Sequence, residues 1–158
     1  MSTPQDLTAD FWSHLKSDRI VMLSTDGAPP RPMAAQTDDA PGPLWFFTAE
    51  GTDLGEAASA RPRTAAMTFQ SKGQEFWASV TGTLTMVHDP ATVDRLWNPM
   101  IAAWFDGGQD DPQLRLLRFD AGEAELWGDA SNLMVMAKAY LGGDVSEHLQ
   151  GEKAHVDL

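Results

Sequence analysis

The residues able to do chemistry are few and scattered. Arg31 stands inside the run A-P-P-R-P-M-A-A-Q and is the single charged side chain between Gly27 and Asp38. A guanidinium held on an extended segment suits a carboxylate or a phosphate, which it can meet with two parallel hydrogen bonds. Thr52 and Asp53 follow a second apolar run, L-W-F-F-T-A. They have the composition of a helix start, where free N–H groups and the helix dipole favour an anion. Asp53 opposes that use by its own charge, and capping the helix accounts equally well for both residues. The histidines His14, His88, His148 and His155 lie in separate segments, and no pair has metal-ligand spacing. Asp110-Asp111 reads as a solvated loop pair, so no metal centre is expected. Cysteine and G-x-S-x-G are absent, which argues against nucleophilic hydrolysis. Neither a dinucleotide fingerprint nor a Walker loop occurs. What remains is aromatic. Of six tryptophans, Trp77, Trp97, Trp104 and Trp127 lie in the later part of the chain. Core or interface packing explains any one of them singly.

The elements that must position these residues can be read from periodicity. Leu7, Phe11 and Leu15 recur at helical spacing over Gln5 to Lys16. Arg19 to Thr25 reads as a strand apolar enough for burial on both faces. Asp26-Gly27 reads as a two-residue hairpin with positive φ at both central positions. Pro30 to Thr37 returns, and its prolines predict an edge position or a bulge. Leu44 to Thr48 is a third strand, and the small residues of Ala49 to Ala60 form a short helix. Thr64 to Gln70 and Glu75 to Val87 follow as strands, with Gly82 as a bulge or bend in the second. Asp89-Pro90 opens a helix that Asn98-Pro99 breaks and restarts as far as Phe105. Leu114 to Asp120 and Glu123 to Trp127 are expected to form a hairpin across Ala121-Gly122. Ser131 to Leu141 reads as a helix, and Lys153 to Asp157 as one more strand. About seven strands joined by short turns, with two or three helices, imply a mainly β fold with attached helices, a closed or nearly closed barrel. The 158 residues suit a single domain spanning 1–158.

Composition narrows the partners. Eleven basic residues against 23 acidic ones give a net charge of −12. Such a surface repels nucleic acid and anionic membranes. No run is apolar enough for a membrane span and no signal peptide is evident, so a cytoplasmic protein is expected. The lack of cysteine is compatible with a reducing compartment.

The order R-I-V-M-L-S-T-D-G, R-P-M-A-A-Q, L-W-F-F-T, A-M-T-F, W-A-S-V-T-G-T-L and D-P resembles the FMN-binding split barrel of pyridoxamine-phosphate-oxidase-like proteins. The segment L-W-N-P-M-I-A-A-W-F-D-G-G-Q-D-D-P is similar, more narrowly, to the bacterial general stress branch of that superfamily. The resemblance implies a split β-barrel that forms a homodimer, with FMN, or FAD, held at the subunit interface. It implies that Arg31, Pro32 and Met33, continuing to Gln36, lie along the flavin ring with Arg31 toward the phosphate. It implies that Phe47 and Thr48 meet the ribityl chain. Thr52 takes the place of a phosphate-binding serine, but Asp53 and Leu54 stand where a base is expected. Lys72 is the candidate to replace that charge, from the same or the second subunit. Trp97, Trp104 and Phe105 are candidates for a lid, or equally for packing between subunits. Trp127 matches the tryptophan of the last strand, but the substrate-gripping arginine and histidine of vitamin B6 oxidases do not follow it. The expected function is therefore flavin binding of general-stress type, with flavin-dependent reduction of a small substrate as its enzymatic form. Two alternatives stay open. One is a flavin-free dimeric interaction or structural protein; the other is a reductase using a deazaflavin-type or tetrapyrrole-type ligand in the same cleft.

Overall fold

The computed structural model describes residues 3–38, 41–128 and 153–158. The chain opens with helix α1 (Pro4–Asp18), started by a capping box in which the Thr3 side chain and the Asp6 backbone, and the Asp6 side chain and the Thr3 backbone, bond reciprocally. Its buried stripe is Leu7, Phe11, Trp12 and Leu15. The helix stops where Arg19 turns left-handed at φ 58° and donates its N–H to the Leu15 carbonyl.

Strand β1 (Ile20–Thr25) alternates strictly, with Val21 and Leu23 buried and Ile20 and Met22 exposed. Burial on both faces is therefore corrected: side chains of a strand alternate between faces, and only one face of β1 meets the core. The turn at Asp26-Gly27 leads to β2 (Ala28–Ala34), but only Gly27 takes a positive φ, 83°. The long returning strand expected from Pro30 to Thr37 is broken. Ala35 separates β2 from the two-residue β3 (Gln36–Thr37). β4 (Leu44–Ala49) follows, then α2 (Asp53–Ala60), β5 (Arg63–Gln70) and β6 (Phe76–Val87). The broken helical segment is α3 (Pro90–Leu96), capped by Asp89, and α4 (Pro99–Ala102), capped by Asn98.

The expected hairpin at Ala121-Gly122 is absent, because β7 (Leu114–Gly128) runs straight through it. Its register against β6 slips there. Val80 faces Ala124 while Gly82 faces Ala121, so β7 carries one extra residue. Ala121-Gly122 lies at a bulge that bends the strand without reversing it. Gly82 is required opposite that bend, since a Cβ there would collide with the Asp120 carbonyl oxygen and the Phe119 ring. The final strand β8 (Lys153–Asp157) pairs with β7 along Glu123 to Trp127. The helix expected over Ser131 to Leu141 lies outside the described residues.

The strands form one antiparallel sheet in the order β2-β1-β5-β6-β7-β4-β3, with β8 on β7. The two ends of that order, β2 and β3, are joined through Ala35 alone. The sheet must therefore curl until its end strands meet, which is the split barrel. Ala35 donates its N–H to the Arg19 carbonyl at 2.8 Å, and Arg19 Nη1 reaches Gln36 Oε1 at 3.1 Å, holding the seam. The inward faces and α1 enclose the main core around Phe11, Phe46, Phe76, Phe119, Leu23 and Met67. A second, smaller core lies outside the barrel, where Trp45 and Leu116 meet Val93 of α3.

Candidate functional site

Residues directly opposite one another in an antiparallel pair share a face. Arg31 faces Leu23 and Met33 faces Val21, so both lie on the inward side of β2, whereas Pro32 faces Met22 on the outside. Met33 packs against the main core. Arg31 is exposed and makes no hydrogen bond or ion pair among the described residues. Its strand ends the sheet order, with a proline on each side of the arginine. α2 packs against β2, β1 and β4, so Arg31 and Thr48 both lie on strands that this helix covers.

At the start of α2, the Thr48 and Thr52 hydroxyls are 2.8 Å apart. Thr52 Oγ1 donates to the Ala49 carbonyl at 2.9 Å and accepts from the Gly55 N–H at 3.1 Å. A hydroxyl has one proton, so Thr48 must be the donor between the two. Neither threonine has a donor left for a phosphate in this arrangement. The first turn of α2 also carries Asp53 and Glu56, and Leu54 is fully buried. Asp53 and Leu54 thus supply no base at the helix start: one is an anion and the other a core residue. Arg115, which sequence reasoning passed over, stands directly opposite Thr48 across the β4–β7 ladder. Its guanidinium is held by the Pro112 and Leu114 carbonyls at 2.7 and 2.9 Å and by Glu50 at 3.4 Å. Lys72 lies in the β5–β6 turn, where its N–H donates to Asp18 at 2.9 Å. In one chain that turn is at the opposite end of β5 from α2, so Lys72 does not complete this corner.

Phe47 and Thr48 project to opposite faces of β4. Thr48 shares the face of Phe46, whereas Phe47 joins the smaller core. Phe47 meets Trp97 edge-on at 6.2 Å, and Trp97 lies 6.3 Å from Phe105. These three aromatics are folded onto their own chain, while Trp104 is 82% exposed. Gln36 is buried with its side-chain oxygen engaged by Arg19. Trp127 is half-buried under the Lys153 ammonium, 5.4 Å from its ring.

Trp127 lines a groove of about 760 Å³ on the outer face of β1, β5, β6 and β7, within the range of small-molecule sites. Ile20, Met22, Trp77 and Ser79 line it too, and none of them was singled out from sequence as a site residue. The signal was present as the alternation of Ile20 and Met22 with Val21 and Leu23. A second cavity of about 570 Å³ is walled by the G-G-Q-D-D-P loop, Arg115 and the start of α3. Two of its carboxylates are structural. Asp111 accepts from the Gln113 and Gly107 N–H groups, and Asp89 from the Thr92 hydroxyl and N–H. These bonds hold both carboxyls below the usual aspartate range, with Gln113 dominating at Asp111 and the Thr92 hydroxyl at Asp89. Among the described residues no group of histidine and acidic side chains is arranged to hold a metal. Nor is any helix there long and apolar enough to cross a membrane.

A family model, pyridoxamine 5'-phosphate oxidase like, matches residues 6–149 of the chain. The chain belongs to this family. Solved structures place it in the general stress branch. A general stress family protein from Xanthomonas campestris pv. campestris is 47% identical, with 83% of this chain and 92% of that chain covered and a TM-score of 0.75. General stress protein 26 from Jannaschia sp. CCS1 is 37% identical over 99% of this chain and 100% of that one, TM-score 0.79. The general stress FMN/FAD binding protein from Xanthomonas citri is 46% identical over 80% of this chain and 92% of that one, TM-score 0.75. No curated protein matches the chain. Within the W-N-P to D-D-P segment, the hydrogen bonds of Asp111 build the loop.

Proposed function

We propose that this family member binds FMN or a related flavin along β2, as a cytoplasmic homodimer with the flavin between subunits. The observation that carries the reading is Arg31: a guanidinium with no partner among the described residues, between two prolines, on the end strand of a barrel in a chain of net charge −12. The 46% identical relative named for FMN/FAD binding supports it. The residues fit the two halves of a flavin unequally. A flat, apolar ring suits an edge-strand backbone beside an aromatic surface. For the phosphate, Arg31 offers a cation with no partner among the described residues, while the start of α2 offers bound hydroxyls and two carboxylates. Any redox chemistry would come from the flavin itself; the chain's residues would bind and orient it.

Titration of the purified protein with FMN tests the reading. Quenched flavin fluorescence, a shifted visible band and a raised thermal midpoint are expected. Saturating FMN that changes none of these sinks it. The engaged Thr48–Thr52 pair favours a second reading, a flavin-free dimeric interaction protein, and that null result is the outcome it requires.

A further inference from the structure

We propose that the site selects a flavin whose ribityl end carries no phosphate monoester, and that Glu56 and Asp53 set this preference. The inference deepens the flavin reading above and rests on it. A turn that receives a phosphate does so with unspent N–H donors and with cations. The turn between β4 and α2 has spent its donors on its own chain. The Glu50 N–H goes to the Gln113 carbonyl at 2.7 Å, and the Thr52 N–H to the Ala49 carbonyl at 3.3 Å. The Gly55 N–H goes to Thr52 Oγ1 at 3.1 Å. The Gly51 N–H, on a residue with φ 84°, meets Glu56 Oε1 at 3.2 Å. Glu56 is thus an anion of the chain itself, folded back onto the head of the helix. The hydroxyls of Thr48 and Thr52 are spent as well.

Charge at this corner points the same way. Glu50, Asp53 and Glu56 stand there with Arg115, whose guanidinium Glu50 and two carbonyls already hold. α2 packs against β2 as well as β4, so a phosphate held by Arg31 sits on a strand that this helix covers. Magnitudes decide the outcome. A charge-assisted hydrogen bond from Arg31 favours a phosphate about 10- to 100-fold. A carboxylate in the first turn of a helix opposes an anion there about two- to fivefold, and two together about four- to 25-fold. These effects nearly cancel. A phosphate monoester carries close to two charges at neutral pH, and taking them out of water without donors to receive them tips the balance against it. A free 5'-hydroxyl carries no charge. A phosphodiester keeps the bond to Arg31 with about half the charge on its phosphorus. Riboflavin and FAD therefore share the chemistry that the corner admits.

Fluorescence titration of the full chain with riboflavin, FMN and FAD tests this. Riboflavin or FAD should bind more tightly than FMN; the tighter of the two identifies the free alcohol or the diester as the preferred end. Glu56→Gln removes the charge and keeps an acceptor for the Gly51 N–H, so its thermal midpoint should match the parent. It should raise the FMN-to-riboflavin affinity ratio about two- to fivefold. Glu56→Gln combined with Asp53→Asn should raise that ratio about tenfold. FMN as the tightest of the three ligands overturns the selection and leaves the flavin reading standing. An unchanged ratio in the double variant does the same, and assigns both carboxylates to the helix alone. If none of the three flavins binds, the flavin reading falls and this inference falls with it.

Discussion

At the scale of single residues, Arg31 is set apart by what surrounds it. The other arginines on the strands have carbonyl or carboxylate partners: Arg63 with Ala57, Arg115 with Glu50, Arg118 with Asp120. Arg31 has none among the described residues, so a ligand phosphate would be its first. Arg31→Ala is expected to weaken FMN about 10- to 100-fold, the worth of a charge-assisted hydrogen bond, while riboflavin changes little. Fluorescence titration with both ligands checks this; equal losses would assign Arg31 to the fold. Asp53 is exposed at the head of α2, where its charge opposes an approaching phosphate. Asp53→Asn should tighten FMN about two- to fivefold without affecting riboflavin, at a small cost to the helix start. Reading the sequence located Arg31 and recognised that Asp53 is the wrong charge. It could not see that Thr52 is already bonded, because that depends on Ala49 and Gly55 arriving together in space. It also missed Arg115, which meets Thr48 only through strand register.

At the scale of elements, the misreadings share one cause. Gly82 was read as a bulge or bend and Ala121-Gly122 as a reversal, whereas the extra residue belongs to β7 opposite Gly82. The two face each other across one ladder, and a bulge on one strand needs room on its neighbour. Local composition names a bend and leaves its sharpness to the partner strand. Gly82→Ala should therefore cost about 1–3 kcal/mol in urea unfolding, because it forces side-chain volume against the Asp120 carbonyl and the Phe119 ring. The break at Ala35 was equally illegible, since β2 and β3 are one run in sequence and change partners only when the sheet curls. The loop before β7 carries a different prediction. Asp111 and Asp89 have depressed pKa values in the fold, so they bind protons more weakly folded than unfolded. Their contribution is complete above about pH 4, near the value of an unstrained aspartate, and is lost as pH falls through the lower folded value. Acid titration followed by tryptophan emission should show the α3 to β7 region loosening below about pH 4. The same titration of Asp111→Asn should lose part of that transition.

For the whole molecule, the barrel class was legible from the alternation and the turns, because those depend on local pattern, and the family from the resemblance carried by the strand motifs and the W-N-P to D-D-P segment. The outer groove was not, since it is assembled from β1, β5, β6 and β7 and exists only in the curled sheet. Net charge adds a further expectation. Two copies at −12 repel each other, so raising sodium chloride from about 50 mM to about 500 mM should tighten the self-association proposed above, by screening that repulsion. Sedimentation at both salts checks the sign. The seam at Ala35 has a mechanical consequence. Most barrels close by hydrogen bonds that can unzip one at a time. Here the first and last strands of the sheet order are also tied by covalent bonds, so this ring behaves like a clasp with a pin. Thermal breathing can rotate the two flaps about Ala35 but cannot draw them apart at that point. The proposed flavin strand, paired with β1 along its length, is thereby kept next to β3 at the pin, with Arg31 four residues away.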